Sequence, residues 1–481
     1  MLFNSLSFLI FFVVIFIVYY FPLKGNTKAQ NVLLLIASYF FYGYASWRML
    51  PLLIVSTVIF YGLGLWINGC KNDKTSSALT TIGVVLGVGI LLYFKYLNFF
   101  IDSFASMLGS FGLQTNWHSF NIIMPLGVSF FTFKLISYVV EIHRGKVEPT
   151  KDFVAFATYI SFFPCILAGP IDRPQFICKI KSSRTFNYSL AVDGSRQVLW
   201  GLFKKVVIAD SLVGYVNNVW ADIPGSSGST LLMSAILYSF QLYTDFSGYS
   251  DMAIGIGKLL GFRIARNFSY PFFATNVAEY WRRWHMSLTS WLTDYVFMPL
   301  NIKFRDLGKL GIISAIIINM VIVGLWHGAN WTFAVFGLYH GLLFIPIILS
   351  GAFYKKNKLK TTKHGFPVFQ QFRKMVLTFL LVTLGLIIFR AENMGQAVHY
   401  LTAMVTNKFF DASMLQGKQQ LCFVLLLLFI EWLQRDKQHA LQFADIKPFK
   451  YRLVRWSVYY VILLVIFKYA GSSQTFVYFQ F

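Results

Sequence analysis

Charge is what this sequence has least of. Of its 481 residues only 13% are Asp, Glu, Lys or Arg, while 57% are hydrophobic, and the mean hydropathy is +0.60. A water-soluble chain of this length needs more charge to cover its surface, so a polytopic membrane protein is indicated. Acids are scarcest: 19 against 42 Lys and Arg, a formal charge of +23. The basic residues cluster in loops between apolar runs. That placement fits cytoplasmic loops facing anionic lipid and argues against nucleic acid as a partner. Cysteine is nearly absent. Cys70, Cys165, Cys178 and Cys422 are scattered, with no paired spacing, so neither a disulfide framework nor a structural zinc is expected. There is no Gly-x-Ser-x-Gly elbow, no phosphate-binding loop and no His-Glu-x-x-His metal motif. No metal site is therefore expected, and the chemistry has to rest on histidine. No internal repeat, low-complexity tract or cleavable signal peptide is apparent, and the first apolar run reads as a retained helix.

What is abundant is apolar and aromatic sequence, including 52 Phe. Apolar runs recur at residues 7–22, 31–46, 50–68, 79–95, 121–141, 153–170, 196–220, 230–260, 309–326, 331–350, 375–390, 419–434 and 453–470. About 20 residues of helix cross the hydrocarbon core, so the expected fold is an all-α polytopic membrane protein with about 11–13 spanning or re-entrant helices. A single membrane domain over 1–481 is expected. Its N-terminal helices run to about 120, its catalytic core covers about 121–350, and further helices fill 351–481.

The loops suggest an orientation. Lys24 and Lys28, then Lys71 and Lys74, then Arg144, Lys146 and Lys151 mark alternate loops as cytoplasmic and put the N-terminus outside. The run 153–170 has basic loops on both sides, the second carrying Arg173, Lys179, Lys181 and Arg184. It also contains Phe163-Pro164 and Gly169-Pro170, so it is expected to be re-entrant or interfacial; a full span with a basic outer loop is the alternative. Residues 353–374 hold Lys355, Lys356, Lys358, Lys360, Lys363, Arg373 and Lys374 and no acid. They read as a large, solvated cytoplasmic loop; attraction for an anionic ligand is the alternative.

Three stretches carry polar groups inside apolar sequence. The first is Gly324-Leu325-Trp326-His327-Gly328-Ala329-Asn330-Trp331, followed by Tyr339-His340-Gly341. A histidine at membrane depth is costly and has either a structural hydrogen bond or a task. In one continuous helix His327 and His340 would stand about 20 Å apart, so they form no dyad unless the chain bends. The second is 278–300. There Trp281, Trp284, Leu288, Trp291 and Tyr295 share one helical face, and Arg282, His285, Thr289 and Thr293 another. It reads as an amphipathic helix at an interface or lining a polar cavity. His285, coming from a separate helix, is the better partner for His327. The third is 231–260, with Gln241, Tyr243, Asp245, Ser247, Tyr249, Ser250 and Asp251. Such carboxylates act as acids or bases, but more often pair with a neighbouring Arg or Tyr. The same holds for Glu141, Asp172 and Arg173.

Read together, these motifs resemble the membrane-bound O-acyltransferase (MBOAT) family, and within it the bacterial alginate O-acetyltransferase type. The resemblance is carried by Asn31 to Tyr42, Met124-Pro125-Leu126-Gly127 to Phe133, Phe163-Pro164-Cys165 to Pro170, and Asp245-Phe246-Ser247-Gly248 to Gly255. Tyr280-Trp281-Arg282-Arg283-Trp284-His285 and Gly324 to Trp331 complete it. It implies a helical funnel with His327 as the essential histidine and His285 at the family's second polar position. It implies an acyl group taken from a cytoplasmic donor and passed to an extracytoplasmic polysaccharide, through a partner of the SGNH-hydrolase fold. The donor implied is acetyl-CoA, as substrate, with no tightly bound cofactor; the setting is the bacterial inner membrane, with membrane lipid around the chain. Gly169-Pro170-Ile171-Asp172-Arg173 and Tyr339-His340-Gly341 look as much like the branch that transfers D-alanine to teichoic acids.

The expected chemistry is acyl transfer, with His327 as general base on an acceptor hydroxyl and His285 orienting it or stabilising developing charge. Arg282, Arg283, Asn330, Asp245 and Tyr249 are the candidate substrate-binding residues. A transporter would be expected to show repeat symmetry, which is not seen; a scaffold that only recruits another acyltransferase would tolerate loss of His327.

Overall fold

The computed structural model describes residues 1–113, 120–355, 359–362, 365–411, 417–443, 447–471, 474 and 476. Lys356, Lys358 and Lys363 of the basic segment lie outside the described residues. Among the described residues all regular structure is helical, apart from one isolated bridge between Thr361 and Pro367. Among the described residues, five helical stretches are long and apolar enough to cross a membrane: Thr27–Gly69, Asp73–Ser110, Lys309–His327, Trp331–Leu349 and Phe369–Arg390. The chain is a multi-pass membrane protein. It divides into two compact units, residues 1–194 with 256–265, and residues 195–255 with 266–481.

The first unit begins with α1 (Leu6–Tyr20), α2 (Thr27–Ser46), α3 (Leu50–Gly69), α4 (Asp73–Leu91) and α5 (Leu97–Ser110). Then come α6 (Val128–His143), α7 (Phe153–Ser161) and α8 (Phe176–Lys181). Almost every residue of α6 is buried. Helices α3 and α4 approach it through glycine: a Cβ on Gly64 would strike Tyr138, and one on Gly87 would strike Ile136. The segment 153–170 is not one continuous helix. Helix α7 stops after nine residues, about 14 Å, and Phe162 to Asp172 continue as buried, non-helical chain. Such backbone is tolerated at membrane depth only inside protein. The polar residues here are structural. Arg184 donates to Tyr19 Oη, Asn31 Oδ1 and the Ile180 carbonyl. Cys165 Sγ lies 3.6 Å from Asp172 Oδ2, and Gln175 Nε2 donates to Glu141.

The second unit holds most of α9 (Tyr188–Leu202), α10 (Asp210–Ala221) and most of the 32-residue α11 (Gly228–Leu259). A π-type turn, Phe203–Ala209, joins α9 to α10. Helices α9 and α11 cross where Gly201 meets Gly248, backbone against backbone, with no room for a Cβ on either. Beside that crossing lies a buried ionic network. Lys204 Nζ contacts Asp251 Oδ2 at 2.6 Å and Ser247 Oγ at 2.9 Å. Lys205 Nζ contacts Asp245 at 2.6 Å and Asp210 at 2.8 Å. Gln197 donates to Asp251, and Tyr243 Oη to Glu431 at 2.7 Å. Asp245, a candidate binding residue from the sequence, is thus an ion-pair partner, and its partner is a lysine rather than Arg or Tyr. Tyr249 is buried with Phe476 edge-on to its ring.

The unit continues with α12 (Val277–Arg283), α13 (Met286–Leu292), α14 (Met298–Lys303), α15 (Lys309–His327), α16 (Trp331–Leu343) and α17 (Ile345–Leu349). It closes with α18 (Phe369–Arg390), α19 (Met394–Thr406), α20 (Lys418–Leu433) and α21 (Arg452–Tyr469). The single helix expected over 278–300 is corrected: the chain breaks at Trp284–His285, and His285 takes a left-handed backbone, φ 42°. A non-glycine residue there costs energy and is held only where its surroundings fix it.

Candidate active site

His327 is the last residue of α15, and the chain then turns. Gly328 is extended, with the Phe333 ring against it, so a side chain there would collide with that ring. Asn330 caps α16, its Oδ1 accepting from Thr332 N–H at 3.1 Å. The two helices return side by side through Gly324 and Gly337, which a Cβ would drive into the Phe333 and Met320 carbonyls. The bend, which a continuous helix would have forbidden, brings His327 and His340 to the same ring: Phe336 packs 6.4 Å from His327 and 4.7 Å from His340.

His327 is buried, with Phe389 5.0 Å and Trp326 5.1 Å from its ring. Trp326 is shared: the His285 ring also lies 5.5 Å from it. The two histidines singled out from the sequence therefore come from separate elements to one indole.

His285 is completely buried, among Phe246, Phe268 and Trp326. Burial, the dominant influence, pushes its pKa down to about 3, so the ring is neutral at physiological pH. Its tautomer follows from its neighbour. Asn267 Oδ1 accepts from the Ser287 backbone N–H at 3.3 Å and from Ser287 Oγ at 2.9 Å. A backbone N–H can only donate, so the oxygen side of that amide must face this way. The same oxygen lies 3.0 Å from His285 Nδ1. Nδ1 therefore carries the proton, and the lone pair is on Nε2. Asn267 Nδ2 in turn donates to Ser250 Oγ. His340 has the opposite form. The indole N–H of Trp281 donates to its Nδ1 at 3.3 Å, leaving the proton on Nε2.

The other sequence candidates are placed as follows. Arg283 pairs with Glu279, four residues back on α12, and Glu279 also accepts from Thr275 N–H and Oγ1. Arg283 is thus spent on the start of its own helix. Arg282 is exposed, with Nη1 3.4 Å from the Phe353 carbonyl. Asn330 spends its amide on the cap and on the Glu392 carbonyl, 2.8 Å away. What the sequence reading missed is Asn267, Lys204, Lys205 and Glu431. Two adjacent lysines within 196–220 and one glutamate within 419–434 were visible as charges in apolar runs. Asn267 lies in a connecting segment and gave no signal.

A buried histidine with a fixed tautomer thus meets a second across a shared indole at a helix break. The profile of the membrane-bound O-acyltransferase family matches residues 39–389. The chain belongs to that family, and it is an O-acyltransferase. It is 38% identical over 412 residues to the probable alginate O-acetylase AlgI of Azotobacter vinelandii, covering 84% of this chain and 78% of that protein. It is 32% identical over 437 residues to the peptidoglycan O-acetyltransferase of Helicobacter pylori, covering 84% and 80%. With the teichoic acid D-alanyltransferase of Bacillus subtilis it shares 28% over 285 residues, 56% of this chain and 70% of that protein.

Proposed function

We propose that this protein transfers an acetyl group from acetyl-CoA, at the cytoplasmic face of the bacterial inner membrane, for O-acetylation of an extracytoplasmic polysaccharide such as alginate. The observation that carries the site is the meeting of His327 and His285 on Trp326. In the step proposed, His327 takes the proton from an acceptor hydroxyl. The oxygen bonds to the thioester carbonyl carbon, the C–S bond breaks, and the thiolate leaves with a proton. The positive charge gained by His327 develops at a helix C-terminus, where the carbonyl dipoles stabilise it. His285 is neutral and pre-oriented, and serves as the second polar group of the site.

The acceptor hydroxyl belongs to the sugar or to a serine of an SGNH-fold partner that passes the group on. The higher identity and coverage with acetyltransferases than with the D-alanyltransferase support acetyl as the group carried. Arg282, exposed three residues before His285, is the candidate contact for the donor's phosphates.

The test is His327→Ala in cells making the polysaccharide. Acetylation should fall by about 10²- to 10⁴-fold, the usual worth of a general base, while the protein accumulates in the membrane. Undiminished acetylation would show that His327 is not the base and would favour a scaffold.

A further inference from the structure

Away from the histidines, the second unit contains a crevice of about 700 Å³ whose lining is apolar throughout, Trp432 carrying its one hydrogen-bonding group. Its floor is buried: Phe240 of α11, Phe272, Met375 of α18 and Val424 of α20. Its lips are open, with Phe372 and Val376 on α18 and Leu425 and Phe429 on α20 all exposed. On α20 the lining runs from Leu421 to Trp432, about 16 Å at the helical rise. On α18 it runs from Phe369 to Phe379, about 15 Å. That is the depth of one leaflet, half of a hydrocarbon core of about 30 Å.

One end of the crevice is cationic. Arg373 stands over the Phe369 ring at 5.9 Å, and Arg435 over the Trp432 ring at 4.7 Å. Both rings line the cavity. Trp432 Nε1 donates to the Gly365 carbonyl at 3.1 Å, which pins the chain entering α18 across that end. Lys374 is exposed beside Arg373, and residues 353–374 contain no acid; Asp436, next to Arg435, is the neighbouring carboxylate.

We infer that this crevice is a binding site for one anionic glycerophospholipid. One acyl chain lies along α18 and α20 against Phe240 and Phe272, and the phosphate sits between Arg373 and Arg435. Apolar lining alone would accept any lipid. The two guanidinium groups at one leaflet's depth select a headgroup with net negative charge, since guanidinium matches phosphate in a forked geometry. The basic segment places that end at the cytoplasmic surface, where anionic lipid is enriched. The site is separate from the acyl-transfer reading and does not depend on it.

The test uses the full chain purified in mild detergent. Co-purifying lipid is quantified by mass spectrometry, and the melting temperature is followed after adding phosphatidylglycerol, phosphatidylcholine or a long-chain fatty acid. The wild type should retain phosphatidylglycerol in about molar amount and be stabilised by it more than by phosphatidylcholine. Arg373→Gln, a surface change, with Arg435→Gln, at a half-buried arginine that also donates to the Trp432 carbonyl at 2.8 Å, should lower the preference for phosphatidylglycerol by about tenfold or more. Leu425→Trp, which fills the crevice from its exposed lip, should lower retention of both lipids. Equal stabilisation by the two phospholipids would overturn the inference. So would a preference untouched by the arginine changes, retention untouched by Leu425→Trp, or fatty acid acting as well as phosphatidylglycerol.

Discussion

Asn267 shows how much one side chain can decide. Its carbonyl oxygen is fixed in place by the Ser287 N–H and thereby fixes the proton on His285 Nδ1. Removing it leaves the ring free to take either neutral form, half of them wrong for whatever Nε2 does. Asn267→Ala should reduce acetyl transfer roughly ten- to a hundredfold, the size usual when an imidazole loses its orienting partner. Asn267→Asp keeps an acceptor for Nδ1–H and should recover much of that loss. It also puts a carboxylate beside His285, which favours the imidazolium and raises a pKa that burial holds near 3. The acid limb of the pH–rate profile should therefore move to higher pH in Asn267→Asp. A residue that only holds the fold would leave that limb where it is, so an unmoved profile would remove Asn267 from the mechanism. Nothing in the sequence pointed to this residue, because its importance comes from chain crossing, not from spacing. His327 drew attention for the opposite reason: a histidine in an apolar run is costly, and has either a structural hydrogen bond or a task.

Among the elements, the π-type turn at Phe203–Ala209 has the clearest energetic role. It lets consecutive lysines, which a regular helix would send about 100° apart, both find carboxylates: Asp251 for Lys204, Asp210 and Asp245 for Lys205. A buried pair adds little net stability over an apolar pair, but breaking one side strands a charge at a cost of about 3–5 kcal/mol. Lys204→Met should destabilise the detergent-solubilised protein by about that much. Lys204→Met with Asp251→Asn should recover part of it, and thermal melts of the four proteins in the cycle measure the coupling. Simple addition of the two single effects would show that the pair is not coupled. The sequence displayed all three carboxylates and both lysines yet could not pair them. Pairing needed the α9–α11 crossing at Gly201 and Gly248, a contact between positions nearly fifty residues apart. The broken helix at 278–300 failed for a local reason. Its apolar period runs on through Trp284 and His285, but His285 adopts a left-handed backbone that periodicity does not reveal.

For the whole molecule, composition settled the class. So little charge over so long a chain leaves a membrane protein, and the ordered motifs narrowed it to a family that the profile over residues 39–389 shows. Span number was less legible, because several apolar runs fold into helices too short or too polar to cross alone. Charge asymmetry predicts the orientation. The basic end of α18 and the C-terminal end of α20 should face the cytoplasm, and the Arg390 end of α18, which is long enough to cross, the opposite side. In a variant without its native cysteines, Glu392→Cys, at an exposed position just past that end, should react in intact cells with a membrane-impermeant maleimide, and Lys360→Cys only after permeabilisation. The reverse pattern would invert the topology and put the donor on the wrong face for acetyl-CoA.

The turn between α15 and α16 also bears on how the protein is made. Only Gly328, Ala329 and Asn330 separate two stretches each long and apolar enough to cross. So short a link leaves no free loop to wait on the far side while the second helix is still being synthesised. The two therefore have to leave the insertion machinery as a preformed hairpin, and His327 reaches its final depth in the same event that brings Phe336 and His340 against it. Assembly of this part of the site and entry into the bilayer are then one step in biogenesis.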